Sequence, residues 1–106
     1  MSVEEYLAMD RDAEVKSEYH DGEVFELEGA TWAHAVIGGN VTWVLKDRLG
    51  GTACTVAIPV RVQISATKFF YPDLVVVCGK PVLASKRLEN LTNPTVIVEI
   101  LSPSTG

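Results

Sequence analysis

Residues 95–104 place one acid inside an apolar run that is typical of a buried β-strand. Four β-branched residues precede Glu99, Ile100 and Leu101 follow it, and Pro103 ends the run. A strand that is apolar on both faces is typical of the centre of a helix-covered sheet. An ionised carboxylate buried there without a partner is strongly unfavourable. We therefore expect Glu99 to be paired with a cation or a metal ion.

A second acid, Asp73, begins another apolar run. Residues 69–78 read Phe-Phe-Tyr-Pro-Asp-Leu-Val-Val-Val-Cys, so Pro72 fixes the entry to the predicted strand. If the two strands are neighbours, Asp73 and Glu99 converge and offer two oxygen ligands to Mg²⁺ or Mn²⁺. Such an ion can promote phosphodiester hydrolysis. The alternative stays open: Asp73 caps a strand and Glu99 forms an ordinary salt bridge.

The length and the composition indicate one small domain or part of one. The chain has 106 residues, of which 47% are hydrophobic, and this is enough apolar material for a core. The net charge of −5 is uneven, because residues 1–30 carry −8 and residues 31–106 carry +3. The second part could therefore face an anion. No signal peptide or membrane-spanning run is visible, so we expect a cytoplasmic location.

The two cysteines predict no special chemistry. Cys54 and Cys78 are too few for a disulfide framework and too far apart for a zinc site. We expect two buried, reduced thiols.

The first part of the chain predicts a short helix followed by a hairpin. Ser2 and Glu5 form a capping box for a helix that ends near Met9. The charged residues 10–14 predict a solvated loop. Residues 18–27 alternate about Asp-Gly, which favours two antiparallel strands joined by a type I′ turn.

One long helix is predicted from Thr31 to Leu49, with Thr31 as its cap and an apolar stripe formed by Ile37, Val41, Val44, Leu45 and Leu49. Gly38 and Gly39 lower the helix propensity in its interior, so we expect another backbone to approach there. Strands are expected at 53–58, 60–65 and 73–78, and a last strand ends at Leu101 after a lysine-rich loop.

Several segments together resemble a known family. They are residues 3–7, 18–23, 33–34, 71–76 and 93–105, and they are similar to the Uma-two family, a bacterial branch of the PD-(D/E)xK nuclease superfamily. The resemblance covers essentially the whole chain. It implies an α+β, restriction-endonuclease-like fold in which a β-hairpin and a long helix pack on a mixed sheet. It also implies metal-dependent cleavage of DNA.

The resemblance further implies roles for individual residues. Asp73 and Glu99 would bind Mg²⁺ or Mn²⁺ with the backbone carbonyl of Ile100, and Glu18 and His34 would face the same site. From the residues alone, His34 is more often a capping or surface histidine. Glu18 is more often an acid on the surface of a strand. Both alternatives stay open.

The chain departs from the superfamily pattern at Leu101, where a lysine is expected two residues after the second acid. In a variant pattern the lysine comes from a helix that follows a stretch like residues 102–105. We therefore expect these 106 residues to be the N-terminal part of a domain nearly twice as long. We also expect them to bind metal weakly and not to cleave DNA by themselves.

Four further residues have more than one interpretation. Arg61 and Lys68 could contact phosphate, although solvated positions are the more common alternative. Trp32 and Trp43 are expected in the core or at an interface rather than as platforms for stacking bases.

A different class of function also stays open. The chain could be a non-catalytic module that binds a nucleotide or a protein and associates with itself through its sheet, since its net charge of −5 gives no overall attraction to DNA. An exposed sheet edge favours pairing with another chain, so we expect a homodimer.

Overall fold

The computed structural model describes residues 1–84 and 90–101. Its elements are, in chain order, α1 Val3–Asp12, β1 Ser17–His20, β2 Glu23–Glu26, α2 Trp32–Leu49, β3 Cys54–Ala57, β4 Val62–Ser65, β5 Lys68–Phe70, β6 Leu74–Cys78, β7 Leu83–Ala84, β8 Asn90–Leu91 and β9 Val96–Val98. The described strands form a six-stranded sheet, β2-β1-β5-β4-β8-β7, and a three-stranded sheet, β3-β6-β9. β4 pairs with β8 in parallel and β6 pairs with β9 antiparallel. The predicted mixed α+β class is confirmed.

The predicted hairpin is confirmed. Asp21 and Gly22 both have positive φ angles, 49° and 99°, which a type I′ turn requires at its two central residues. The register pairs Glu18 with Phe25 and His20 with Glu23. β1 lies between β2 and β5, so Glu18 lies on an inner strand of the six-stranded sheet.

Helix α1 has the predicted capping box but a later end. Ser2 Oγ accepts from the amide of Glu5, and the Glu5 carboxylate accepts from the amide of Ser2. The helix continues to Asp12, and Asp10 is fully buried. The prediction that residues 10–14 form a solvated loop is therefore wrong for its first part. Asp10 follows the buried Tyr6 by four residues, so both side chains lie on the inner helix face.

A buried ion pair explains why Asp10 lies inside. Asp10 Oδ2 is 2.8 Å from Arg61 Nη1 and also accepts from the hydroxyl of Tyr71. Asp10 Oδ1 accepts from the amide of Ser17 at 2.8 Å, and Arg61 Nε donates to Asn90 Oδ1. Arg61 is only 5% exposed, so the expectation of a solvated Arg61 is wrong.

Two hydrophobic clusters form the core. Tyr6, Tyr19 and Phe69 join α1 to the six-stranded sheet, and a second cluster of buried side chains lies between the sheets and consists of Val62, Val75, Val77 and Leu91. Trp32 and Trp43 are 83% and 69% exposed. The core alternative for the two tryptophans is therefore wrong, because both side chains lie on the outer side of α2.

The two cysteines also differ from the prediction. Cys54 and Cys78 are paired residues of the antiparallel strands β3 and β6, and they form a disulfide. Cys78 is exposed and Cys54 is half-buried. The prediction of two buried, reduced thiols is wrong because a separation of 24 residues along the chain becomes direct opposition in the sheet.

Helix α2 lies against β3, as expected of a helix on a sheet, and Thr31 caps it through the amide of His34. None of its described residues is fully buried. A Cβ atom at Gly38 would lie 3.3 Å from Cδ1 of Ile100, whereas Gly39 faces open space. The predicted close approach therefore occurs at one glycine, and the neighbour is a side chain rather than a backbone.

The two acid-bearing runs have unlike environments. β6 is central in its sheet, and its first four residues are buried, as predicted. β9 is an edge strand in which Val96 is 50% exposed, and Glu99 follows its last residue and is exposed. The prediction that Glu99 lies inside a buried strand is wrong because apolar residues alone do not distinguish an edge strand from a central one.

Some predictions concern residues that the structure does not describe. The end of the lysine-rich loop and the stretch 102–105 lie outside the described residues. The short strands β5, β7 and β8 were not predicted. Among the described residues, no helix is long and apolar enough to cross a membrane.

The buried ion pair predicts a large loss of stability when it is broken from one side. Asp10→Asn removes the carboxylate charge that lies 2.8 Å from the buried guanidinium of Arg61, so we expect the free energy of unfolding to fall by about 3–5 kcal/mol. Urea denaturation measures this change. The control is Asp12→Asn on the exposed end of the same helix, which should change the value by less than about 0.5 kcal/mol. Equal effects of the two variants would show that the pair does not stabilise the fold.

Candidate active site

The structure places the four predicted catalytic side chains around one cavity. The cavity has a volume of about 800 Å³, and Glu18, His34, Asp73 and Glu99 all line it. They come from β1, from the first turn of α2 and from the ends of β6 and β9. Residues distant in sequence therefore converge on one concave surface, which is the common arrangement of an active site.

The pairing of β6 with β9 brings the two acids together. Leu74 is the partner of Val98 in this antiparallel pair, so Asp73 and Glu99 are the next residues outward on the two chains. The neighbouring position predicted for these acids is thus present at the sheet end. The amide of Ile100 donates to Asp73 Oδ2 at 2.6 Å, which ties the segment after β9 to the start of β6.

His34 reaches the same acid from the helix. Its Nε2 lies 3.1 Å from Asp73 Oδ1, and the two side chains are 20% and 23% exposed. The position of His34 follows from the cap, because Thr31 starts α2 three residues earlier and directs this turn toward the sheet. Both oxygens of Asp73 therefore have a partner on the protein.

Glu18 also lines the cavity and is held by a backbone contact. Its Oε2 accepts from the backbone amide of Tyr71 at 2.9 Å, and its Oε1 lies 3.9 Å from His20 Nε2. The side chain is 25% exposed. The interpretation of Glu18 as a freely solvated surface acid does not fit this contact.

The cavity carries an excess of negative charge, which acts on Glu99. The pKa of Glu99 is raised above its ordinary value, first by partial burial against the cavity wall and then by the negative charges of Asp73 and Glu18. An interaction with the Asp73 carboxyl raises it further, and His34 acts in the opposite direction. Glu99 is exposed on its outer side, so these effects are moderated by solvent.

The described side chains do not form a complete set of metal ligands. No group of three or more His, Cys, Asp or Glu side chains among them is arranged to hold a metal ion. Asp73 and Glu99 can supply two oxygen ligands, and Mg²⁺ sites of this kind usually take further ligands from water and backbone. The contact recorded for Ile100 is made by its amide, which donates to Asp73.

The predicted cations do not line this cavity. Lys68 is on β5 and lies 3.9 Å from Asp21 at the hairpin turn, and Arg61 is held by Asp10. Leu101 occupies the position of the superfamily lysine and is 89% exposed. Among the residues that the structure describes, no lysine or arginine lines the cavity.

Sequence reasoning missed two residues that organise the site. Tyr71 lines the cavity and holds Glu18, and Asp10 holds the hydroxyl of Tyr71. The helical spacing between Tyr6 and Asp10 was the available signal, because it places the acid on the apolar face of α1. The partner, Arg61, is 51 residues away and had no local signal.

The charge of Glu99 predicts a pH-dependent stability. Because its folded-state pKa is raised, the stability that protonated Glu99 contributes is present below its usual pKa of 4.5 and is lost as the pH rises through the raised value. In EDTA, Glu99→Gln should therefore raise the melting temperature at neutral pH and give no gain below pH 4.5. Thermal unfolding followed by circular dichroism measures both values.

Glu26→Gln is the control for Glu99→Gln, because it removes one negative charge from the exposed strand β2, outside the cavity. It reports the general effect of reducing the net charge. If Glu99→Gln has a lower melting temperature at neutral pH than this control, the negative charge of Glu99 does not destabilise the fold, and the prediction is wrong.

Comparison with known proteins finds a family match and similar proteins. The Uma2 family, described as "Putative restriction endonuclease", matches residues 3–106. Two uncharacterized proteins of Synechocystis sp. are also similar: slr1290 is 32% identical over 99% of this chain, and sll1609 is 29% identical over 98%. The chain spans 55% and 60% of the lengths of these two relatives.

No solved structure matches the chain. The family match over residues 3–106 therefore carries the assignment. The chain belongs to the Uma2 family of restriction-endonuclease-like proteins.

Proposed function

We propose that the protein is a metal-dependent endonuclease that hydrolyses phosphodiester bonds of DNA at the acidic cavity. The single observation that supports this most is the convergence of Asp73, Glu99, Glu18 and His34 on one cavity from four separate elements. The description of the family names a restriction endonuclease, and such enzymes act on DNA.

The chemistry of the residues fits a divalent cation. Asp73 and Glu99 offer hard oxygen ligands, and the pKa of Glu99 is raised by partial burial and then by the charges of Asp73 and Glu18, both of which a cation would offset. In this proposal Asp73 and Glu99 hold Mg²⁺ or Mn²⁺, and the carbonyl of Ile100 is the third protein ligand. The ion would offset charge on the scissile phosphate and lower the pKa of bound water.

The other residues prepare the site for this chemistry. His34 Nε2, 3.1 Å from Asp73, fixes the orientation of that carboxylate and is the candidate proton acceptor or phosphate donor. Glu18 is held by the Tyr71 amide and faces the acid pair, so it is the second candidate base. Held side chains favour catalysis because little reorganisation is needed during the reaction.

The described residues supply no cation to the cavity, and this limits the proposed activity of the 106-residue chain. A lysine ammonium can orient the attacking water and offset transition-state charge, at a value of about 3–4 kcal/mol for a comparable electrostatic donor. Leu101 has no such group. We therefore propose that the chain binds metal weakly and that cleavage requires a lysine from additional sequence.

Metal binding gives a direct test of the acid pair. Asp73→Asn keeps an oxygen that can accept from the Ile100 amide but removes the charge, so Mn²⁺ affinity should fall by about tenfold or more. Isothermal titration calorimetry with MnCl₂ measures the affinity. Asp47→Asn on the exposed side of α2 is the matched control and should leave it unchanged. Equal affinities of both variants would exclude Asp73 as a ligand.

Plasmid nicking tests the proposed need for a lysine. With Mn²⁺, the 106-residue chain should leave supercoiled DNA intact, because no described cation lines the cavity. A chimera that adds the remaining C-terminal part of the relative slr1290 should nick it, and Asp73→Asn should abolish that nicking. Metal-dependent nicking by the 106-residue chain that is lost in Asp73→Asn would refute the proposed need and make Lys68 the first residue to substitute.

We also propose that the chain associates with a second copy of itself. The sequence favoured association through a sheet edge, and β9 is such an edge, but the largest exposed apolar side chains lie on α2. Trp32, Val36 and Trp43 are spaced by four and seven residues and share one helix face.

Light scattering tests this association. At about 100 μM protein we expect a dimer, because mass action favours association at high concentration. Trp43→Glu should give a monomer, since it places a charge in the apolar face. Ile64→Glu is the control at another exposed apolar position, on β4, and should remain dimeric. A monomeric unsubstituted chain at this concentration contradicts the proposal.

A further inference from the structure

One side chain separates the acidic cavity from a smaller, basic one. The smaller cavity has a volume of about 220 Å³ and is lined by Arg11, Lys16, Arg61 and Tyr71. Tyr71 is the residue common to both cavities among those that line them. We infer that Tyr71 is a positioning residue: the buried pair of Asp10 and Arg61 holds its hydroxyl, so that its backbone amide fixes Glu18 toward the acid pair. The expected effect of Tyr71 on metal binding rests on the proposed function.

The hydroxyl end of Tyr71 is firmly held. Asp10 is fully buried, and its Oδ2 accepts from both Tyr71 and Arg61. A tyrosine hydroxyl is ordinarily protonated at neutral pH, and that of Tyr71 donates to this carboxylate.

The backbone amide of Tyr71 holds the carboxylate of Glu18. This amide donates to Glu18 Oε2 at 2.9 Å. The next residue, Pro72, is fully buried, and Asp73 comes immediately after it. A displacement of Tyr71 would therefore move the contact to Glu18 and the start of the segment that carries Asp73.

Asp10 also fixes Glu18 by a second route. Asp10 Oδ1 accepts from the amide of Ser17 at 2.8 Å, and Ser17 directly precedes Glu18 on β1. The contacts thus form a closed ring from Asp10 to Ser17, Glu18, Tyr71 and back to Asp10. In such a ring the loss of the bond between Tyr71 and Asp10 loosens the contact between Tyr71 and Glu18. A general loss of stability would not act on that one contact, so the contact distinguishes the two effects.

The substitution that tests the ring is Tyr71→Phe, which keeps the aromatic ring and the backbone amide but removes the hydroxyl. Tyr19→Phe is the matched control. It also removes the hydroxyl of a largely buried tyrosine, which donates to the carbonyl oxygen of Met1 at 2.6 Å. The Tyr19 hydroxyl makes no recorded contact with Asp10 or Glu18, so both variants lose one hydrogen bond but only one of them opens the ring.

Two measurements on the full 106-residue chain decide the outcome. In Tyr71→Phe, hydrogen exchange at the amide of residue 71 should become about tenfold faster relative to amides of β6, because its bond to Glu18 opens locally. Mn²⁺ affinity should fall by about tenfold, as for other residues that orient ligands. Tyr19→Phe should show neither change, even if its melting temperature falls equally.

The inference and the proposed function fail in different ways. Unchanged exchange at residue 71 in Tyr71→Phe would overturn the positioning role, whatever the metal result. Faster exchange with Mn²⁺ affinity equal to that of Tyr19→Phe would overturn the link between the ring and the acid pair. If the unsubstituted chain binds no Mn²⁺, the proposed metal function fails, and the exchange comparison alone still decides whether Tyr71 holds Glu18.

Discussion

The structure depends on one carboxylate that is removed from water, that of Asp10. Desolvation of this charge is tolerated because Arg61 neutralises it and hydrogen bonds from Ser17 and Tyr71 satisfy its oxygens. These partners come from the segment before β4, from β1 and from the loop before β6. A single buried charge therefore joins α1 to both sheets, and the same contacts set the position of Tyr71. Stability and site geometry share this interaction, so a change at Asp10 alters both.

The candidate site has the opposite electrostatic character. Asp73, Glu99 and Glu18 face one cavity with His34 as the nearby basic group, and the pKa of Glu99 is raised first by its partial burial and then by the charges of the other two acids. The fold places Asp73 and Glu99 beside the ends of β6 and β9, and Glu18 within β1. The charge of Asp10 is thus neutralised by Arg61, whereas no described lysine or arginine lines the cavity that holds the other three acids. Uncompensated charge at a cavity is typical of a functional site, because a ligand can supply the missing counter-charge.

Local signals predicted the local structure well. The Asp-Gly pair predicted the hairpin, Ser2 and Thr31 predicted both helix starts, and the apolar run after Asp73 predicted β6. The failures concern contacts between distant residues. The Asp10–Arg61 pair spans 51 residues and the cysteine pair 24, and no local pattern records such distances. The burial of side chains was predicted wrongly for a related reason. The tryptophans and Glu99 lie among apolar residues, but the strand order of the sheet and the face of α2 that packs on it decide which side chains are buried.

The site roles were predicted from family resemblance, and the structure adds the physical reason why these residues can meet. Helix α2 reaches the sheet end through two residues that are four apart and therefore share a face: His34 contacts Asp73, and Gly38 leaves room for the side chain of Ile100. The amide of Ile100 then donates to the same Asp73 carboxylate. The cap at Thr31 fixes which residues occupy this face, and the β6–β9 register fixes where Asp73 lies beneath them. The missing side chain at Gly38 is thus part of the site geometry, since it lets the helix and the segment after β9 hold one acid from two sides.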